Sequence, residues 1–211
     1  ATDAWAMTVA AHRIAARRPD ATAIAPGVVI NVAPPASAVE SSRRQEYLAG
    51  SQTRSFIKTL IDDVIPRLTD DHALDPRGKT IAGHSLAGRF ALEVALSQRG
   101  VFRRAVAMSP SLWHDGTGIE YLMPEGGDVE LLLTVGEYEE ALAQWERGQA
   151  DAATKLDRRR SRGMVAGVLR LADLARQNGV RVDAMVIPEA DHATVQAASL
   201  TPMLRFAFPP E

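Results

Sequence analysis

The feature that most constrains this chain is an alternation. Short β-branched or continuously apolar runs lie at 27–35 (GVVINVAPP), 80–85 (TIAGHS), 104–110 (RAVAMSP), 129–137 (VELLLTVGE) and 180–188 (VRVDAMVIP). A run that is apolar at nearly every position is covered on both faces, as strands of parallel sheets are. Between these runs the apolar spacing is helical. Residues 52–68 carry Phe56, Ile57, Leu60, Ile61, Val64 and Ile65, and 86–100 carry Phe90, Leu92, Val94 and Leu96 ahead of Gly100. The segment 154–177 reads as one long amphipathic helix with a solvated basic start at 157–162, and 192–208 as a helix that must bend or restart at Pro202. Strands alternating with helices predict an α/β fold, a mainly parallel sheet with helices on both faces, in one domain spanning 1–211. Trp5, Met7, Val9 and Ile14 interleave with polar positions as in a helix packed on a core, so the chain is expected to begin inside that domain rather than with a transit peptide.

Charge and composition remove several classes of partner. With 24 Lys+Arg against 26 Asp+Glu the chain lacks the cationic excess that neutralises phosphates, which excludes nucleic acid as the default partner. It has no Cys, hence no disulfide framework, thiol nucleophile or thiolate metal site. No run of about 18 apolar residues is present to span a bilayer, and the reading is of a soluble chain without a membrane partner.

In open α/β sheets the chemistry collects in the crevice at the carboxyl ends of the strands. After the run at 80–85 comes Gly83-His84-Ser85-Leu86-Ala87-Gly88 and then a helix. A sharp strand-to-helix turn that exposes a nucleophilic serine needs small residues two before and two after it, a demand met by Gly83 and Ala87. Ser85 is therefore the candidate nucleophile, with an N-cap as the alternative reading. The N–H of Leu86, at the start of the following helix, is a candidate oxyanion donor. His84 adjoins the nucleophile, is expected to point elsewhere on the elbow, and is a candidate substrate contact.

A serine nucleophile needs a base, and the base needs a group that holds its tautomer. Of the five His, His192 in PEADHATV follows the last strand, where the order serine, acid, histidine would place it; the alternative is a surface His behind an Asp191 N-cap. His114, after a strand-end loop, is a further possibility. Between Ser85 and His192, the strand at 129–137 leads into Gly136-Glu137-Tyr138-Glu139-Glu140. Spacing after Gly136 favours Glu139 as the acid, with Glu137 second, against the alternative of a helix start enriched in acids. Gly78-Lys79-Thr80 lacks the partner glycine of a phosphate loop, since position 73 is Ala73, and Gly116-Thr117-Gly118 lacks the third glycine of a dinucleotide fingerprint, since position 121 is Tyr121. No cofactor or metal is inferred.

GHSLAGRFALEVAL, FRRAVAMSPSLWHD, LLLTVGEYEEAL and GVRVDAMVIPEADHATV together resemble the α/β-hydrolase esterases related to enterobactin-type siderophore esterases, a group that includes S-formylglutathione hydrolases and feruloyl or acetylxylan esterases. The resemblance covers nearly the whole chain. It implies hydrolysis of a carboxylic ester, a small-molecule substrate, through an acyl-serine, with Ser85 and His192 in matching positions; the acid carries over less directly. Ala87 departs from the commoner glycine. In this family a strand and an oxyanion loop precede the first helix seen here, so the N-terminal strands are expected to be missing from this sequence, or the second oxyanion donor to come from residues 1–3. Arg43 and Arg44 fall where an anionic substrate would be gripped, with solvated loop arginines as the alternative. Trp113 is a candidate lining residue of an acyl or aryl pocket, with a core Trp as the alternative. Two further functions are compatible with the same residues: acyl transfer to an alcohol, and a catalytically silent binding domain of hydrolase shape.

Overall fold

A computed structural model describes residues 29–30, 32, 47–48, 51–72, 74–75, 77–113 and 118–209. The expected helix at the N-terminus, most of the expected strand at 27–35, Arg43, Arg44 and His114 lie outside the described residues. The chain groups into two compact units, Arg77–Ala198 and a second drawn from Ala1–Pro76 and Ser199–Glu211.

The second unit contains α1 (Ser51–Thr59) and α2 (Ile65–His72), joined by a π-helical turn at Leu60–Val64. Pro66 explains that turn. Its ring lacks an N–H and collides with the carbonyl four residues back in a regular helix, and the wider turn, closed by the Ile65 N–H on the Leu60 carbonyl, shifts the register just ahead of it.

The Arg77–Ala198 unit holds the sheet. Its elements are β1 (Thr80–His84), α3 (Leu86–Ser97), β2 (Arg104–Met108), β3 (Glu130–Gly136), α4 (Ala152–Arg162), α5 (Met164–Gln177), β4 (Arg181–Ile187) and the short α6 (Val195–Ala198). The strands pair in the order β1-β2-β3-β4, all parallel, which aligns His84, Met108 and Thr134 at one level near the carboxyl edge. The continuously apolar run gives the strand it predicts: every residue of β3 is buried. Helix α3 packs on β1 and β2 and is buried nearly all round, with Leu92 and Val94 both fully buried, and α5 packs on β3 and β4 through a face that includes Val168 and Leu171.

Two helices differ from expectation. The long helix at 154–177 is two, because Gly163 adopts a left-handed φ of 57° and its N–H closes onto the Arg159 and Arg160 carbonyls, ending α4 before α5 begins. The closing helix at 192–208 does not start at His192; α6 begins at Val195, and α7 (Leu200–Ala207), which belongs to the other unit, restarts ahead of Pro202. Pro202 thereby falls in a first turn, where a missing N–H costs no intrahelical bond.

Candidate active site

The turn between β1 and α3 is strained. Ser85 has φ 60° and ψ −121°, a conformation that L-residues avoid, and its hydroxyl does not cap α3. The turn is held by backbone bonds instead: the Ser85 N–H donates to the Met108 carbonyl at 2.9 Å, and the Ser85 carbonyl accepts from the N–H groups of Arg89 and Ser111, both at 3.1 Å. A methyl group on Gly83 would stand 2.1 Å from the Ala87 carbonyl oxygen, and one on Gly88 would stand 3.0 Å from the Gly83 carbonyl oxygen and 3.3 Å from that of Met108. The close approach that demands glycine thus falls on Gly83 and Gly88. Ala87 contributes its carbonyl to that contact.

The loop after β4 carries His192. Asp191 anchors it, its Oδ1 accepting from the N–H of Ala193 at 3.0 Å and from the N–H and hydroxyl of Thr194 at 2.9 Å each. Burial would raise the Asp191 pKa, but these hydrogen bonds outweigh it and hold the carboxyl below its ordinary range. Asp191 thus holds the turn at 192–194 that carries His192, and it is not the cap of a helix opening at His192, because α6 begins only at Val195. The loop is pinned to the end of β3 by the Tyr138 N–H on the Ala190 carbonyl, 2.8 Å, and by the Glu189 N–H on Glu137 Oε2, 3.0 Å. A methyl group on Gly136 would stand 2.4 Å from that same Ala190 oxygen.

The three glutamates after β3 have three different partners. Glu137 takes the Glu189 N–H, and Glu140 accepts from the Ala166 N–H in the first turn of α5 at 2.9 Å. Glu139 is only 6% exposed, and its Oε2 lies 2.7 Å from His192 Nδ1. Its Oε1 accepts from the Gly136 N–H at 3.0 Å and from the Ser109 hydroxyl. Burial alone would raise the Glu139 pKa; the hydrogen bonds from His192, Ser109 and Gly136 outweigh it and set the carboxyl below its ordinary range. An ionised carboxylate only accepts, so in the neutral imidazole the proton sits on Nδ1, which leaves Nε2 as an acceptor 3.0 Å from the Ser85 hydroxyl.

Ser85, His192 and Glu139 are thus brought into one line, and Glu137 is not. The Leu86 N–H belongs to the first turn of α3, whose N–H groups have no intrahelical acceptor. His84, expected to point away, instead sets its ring 4.7 Å from that of His192 at a tilt of 40°. Trp113 is 46% exposed, so about half of its surface is open to solvent, and the Arg162 guanidinium lies 5.4 Å from its ring centre. Sequence reasoning missed Ser109 and Ser111. The strand predicted at 104–110 covered Ser109, whereas β2 ends at Met108 and makes Ser109 a strand-end residue with φ 43°. The Ser111 hydroxyl lies 3.3 Å from that of Ser85. Among the described residues no group of three or more His, Asp or Glu side chains is arranged to hold a metal ion.

Residues 4–168 match the Putative esterase family. Ferri-bacillibactin esterase BesA of Bacillus subtilis is 25% identical over 228 residues, covering 95% of this chain and 74% of its own. Among solved structures, the BES protein from Bacillus cereus superposes with a TM-score of 0.73 at 19% identity, covering 99% of this chain and 81% of its own. Siderophore hydrolase EstB from Aspergillus nidulans superposes with a TM-score of 0.69 at 20% identity, covering 98% and 80%. These superpositions show that the chain shares the fold of those two structures, a parallel sheet flanked by helices.

Proposed function

The chain belongs to the Putative esterase family, and from that premise we propose that it hydrolyses a carboxylic ester through an acyl-serine formed on Ser85. The observation that carries the reading is the unbroken line from Glu139 through His192 to Ser85, at 2.7 and 3.0 Å, ending on a serine held at φ 60°. His192 Nε2 takes the Ser85 hydroxyl proton as Oγ bonds to the ester carbonyl carbon and the carbonyl π pair moves to its oxygen. The Leu86 N–H and the start of α3 stabilise that oxyanion. Collapse breaks the bond to the leaving alkoxide, which takes the proton from His192; water then repeats the sequence and frees Ser85. Glu139 keeps the proton on Nδ1 and stabilises the transient imidazolium.

For the substrate we carry over from BesA and EstB an ester of siderophore type. Trp113 stands two residues after Ser111 and offers a half-exposed ring beside the Arg162 guanidinium, which suits an aromatic group with negative charge. His84 completes the wall beside His192. For Arg43 and Arg44 the assignment to anionic groups of the substrate rests on the sequence alone. The test is an ester panel from p-nitrophenyl acetate to siderophore trilactones and feruloyl esters, run beside fluorophosphonate labelling. Trilactone hydrolysis with label on Ser85 only is the expected result; label on another residue overturns the nucleophile, and activity confined to simple acetates overturns the substrate class.

A further inference from the structure

The hydroxyl of Ser85 has a second neighbour. Ser111 Oγ lies 3.3 Å from Ser85 Oγ, in the loop after β2, and Ser111 is 3% exposed. Its position is fixed from the backbone, because its own N–H donates to the Ser85 carbonyl at 3.1 Å. The direction of the hydroxyl pair follows from the rest of the line. Ser85 must give its proton toward His192 Nε2, which can only accept while Nδ1 donates to Glu139. Ser85 Oγ is then the acceptor in the pair, and Ser111 the donor.

We infer that Ser111 is a catalytic residue that donates a hydrogen bond to the nucleophilic oxygen itself; this rests on the assignment of Ser85 and His192 above. In the resting enzyme Oγ is neutral and the bond is long. As His192 removes the proton, negative charge builds on Oγ before the bond to carbon is complete, and a donor already aimed at it becomes a charge-assisted one. In the tetrahedral intermediate Oγ is ether-like and the charge has moved to the carbonyl oxygen. When the acyl-enzyme breaks down, Oγ leaves with the bonding pair and the same donor meets it again. The Ser111 proton stays on Ser111 throughout, so proton transfer remains between Ser85, His192, the leaving alkoxide and water. An interaction that is stronger in both transition states than in the ground state raises kcat rather than lowering KM.

The experiment compares the native chain with Ser111→Ala. The fluorophosphonate inactivation rate reads attack by Ser85 Oγ alone, and kcat and KM on p-nitrophenyl acetate read the full cycle. Loss of one charge-assisted donor should slow labelling and kcat by about 10- to 100-fold, with KM changed less than about twofold and the thermal midpoint kept. Should the alanine variant fail to fold, Ser111→Cys keeps the side-chain volume with a weak donor and should slow labelling by a smaller factor of about 3 to 30. Labelling of the folded variant at the native rate overturns the role of Ser111 while Ser85 remains labelled and the family reading stands. A native chain that does not label on Ser85, or a Ser85→Ala chain that keeps its activity, overturns both.

Discussion

The two edges of this one parallel sheet each hold a buried carboxylate and use it in opposite ways. At the amino edge Glu130, the first residue of β3, meets Arg103, Arg104 and Arg181 at 3.3, 3.7 and 3.4 Å. At the carboxyl edge Glu139 meets a histidine, a serine and a backbone N–H. The first carboxylate is surrounded by permanent charge of opposite sign, the second by groups that carry no permanent charge. The backbone divides the same way: the non-glycine residues with positive φ among the described residues are Ser85, Ser109 and Glu189, at the carboxyl ends of β1, β2 and β4. Such conformations cost about 1–3 kcal/mol each and persist where the surroundings impose them. Strain and uncharged partners together mark the edge built for a charge that appears only during reaction.

The largest effect should come from Ser85 itself. Ser85→Ala should leave less than about a thousandth of the native esterase rate, measured on p-nitrophenyl acetate, because the oxyanion donors and binding alone survive. Alanine tolerates φ 60° no better than serine, so stability should hardly move. Ser85→Gly separates the two edges more sharply, since it should be as inactive while gaining about 1 kcal/mol in urea unfolding through relief of the backbone strain. A glycine variant of unchanged or lower stability would mean that the elbow stores no strain.

Next in size is Glu139→Gln, which should lower kcat by a factor on the order of thousands through loss of the tautomer lock and of imidazolium stabilisation. Glu137→Gln should cost far less, since its task is to hold the Glu189 N–H, and Glu140→Gln should leave the rate nearly native while loosening the first turn of α5. If all three keep native rates, Ser85 and His192 work as a dyad. Glu139 also has a pH signature. Its pKa is lowered in the fold, so its ionisation stabilises the native state above the ordinary carboxyl pKa, and that contribution is lost as pH falls through the lowered value. Native and Glu139→Gln chains should therefore differ in unfolding free energy at neutral pH and converge only once the pH has fallen through that lowered value. A difference that persists unchanged into acid would assign it to packing.

These residues were legible in the sequence to different degrees, for physical reasons. Ser85 was readable because steric crowding at the elbow forces small neighbours, and Gly83 records that demand; the other tight contact falls on Gly88 rather than position 87, because it is Gly88 that the turn of the helix brings against the Gly83 and Met108 carbonyls. Strand order places His192 after β4 and the glutamates after β3, but the choice among three adjacent acids turns on side-chain directions within one 3₁₀ turn, Glu137–Glu139. Ser109 stayed hidden because serine is compatible with a strand end, so a boundary two residues too long absorbed it. The helix break at Gly163 was readable in principle from the glycine, yet apolar periodicity continues across it and masks the turn.

An intermediate effect is expected for Ser109→Ala. Ser109 touches neither substrate nor the reacting oxygen; it is a positioning residue that donates to Glu139 Oε1, the oxygen turned away from His192. Removing a hydrogen bond to a buried carboxylate should raise the Glu139 pKa toward the ordinary range and lower kcat by about tenfold, with KM little changed. In the pH profile of unfolding free energy, the acid loss that belongs to Glu139 should move upward relative to the native chain. A uniform fall in rate with the profile unmoved would make Ser109 a packing residue only.

The smallest effect belongs to the amino edge. Glu130→Gln removes a carboxylate whose partners differ in exposure: the Arg103 and Arg181 side chains are 50% and 74% exposed, that of Arg104 13%. Two of the three pairs are thus screened by water and contribute little, and only Arg104 is left with its charge partly desolvated. The expected cost is about 1 kcal/mol in urea unfolding at low salt, falling as salt rises toward 1 M because the Debye length shrinks to about 3 Å. The esterase rate should stay within about twofold of native, since β3 runs seven residues from Glu130 to Gly136 and the amino edge holds none of the groups assigned to the chemistry. A tenfold loss of rate with stability kept would join the two edges functionally, and the division of labour between them would fall.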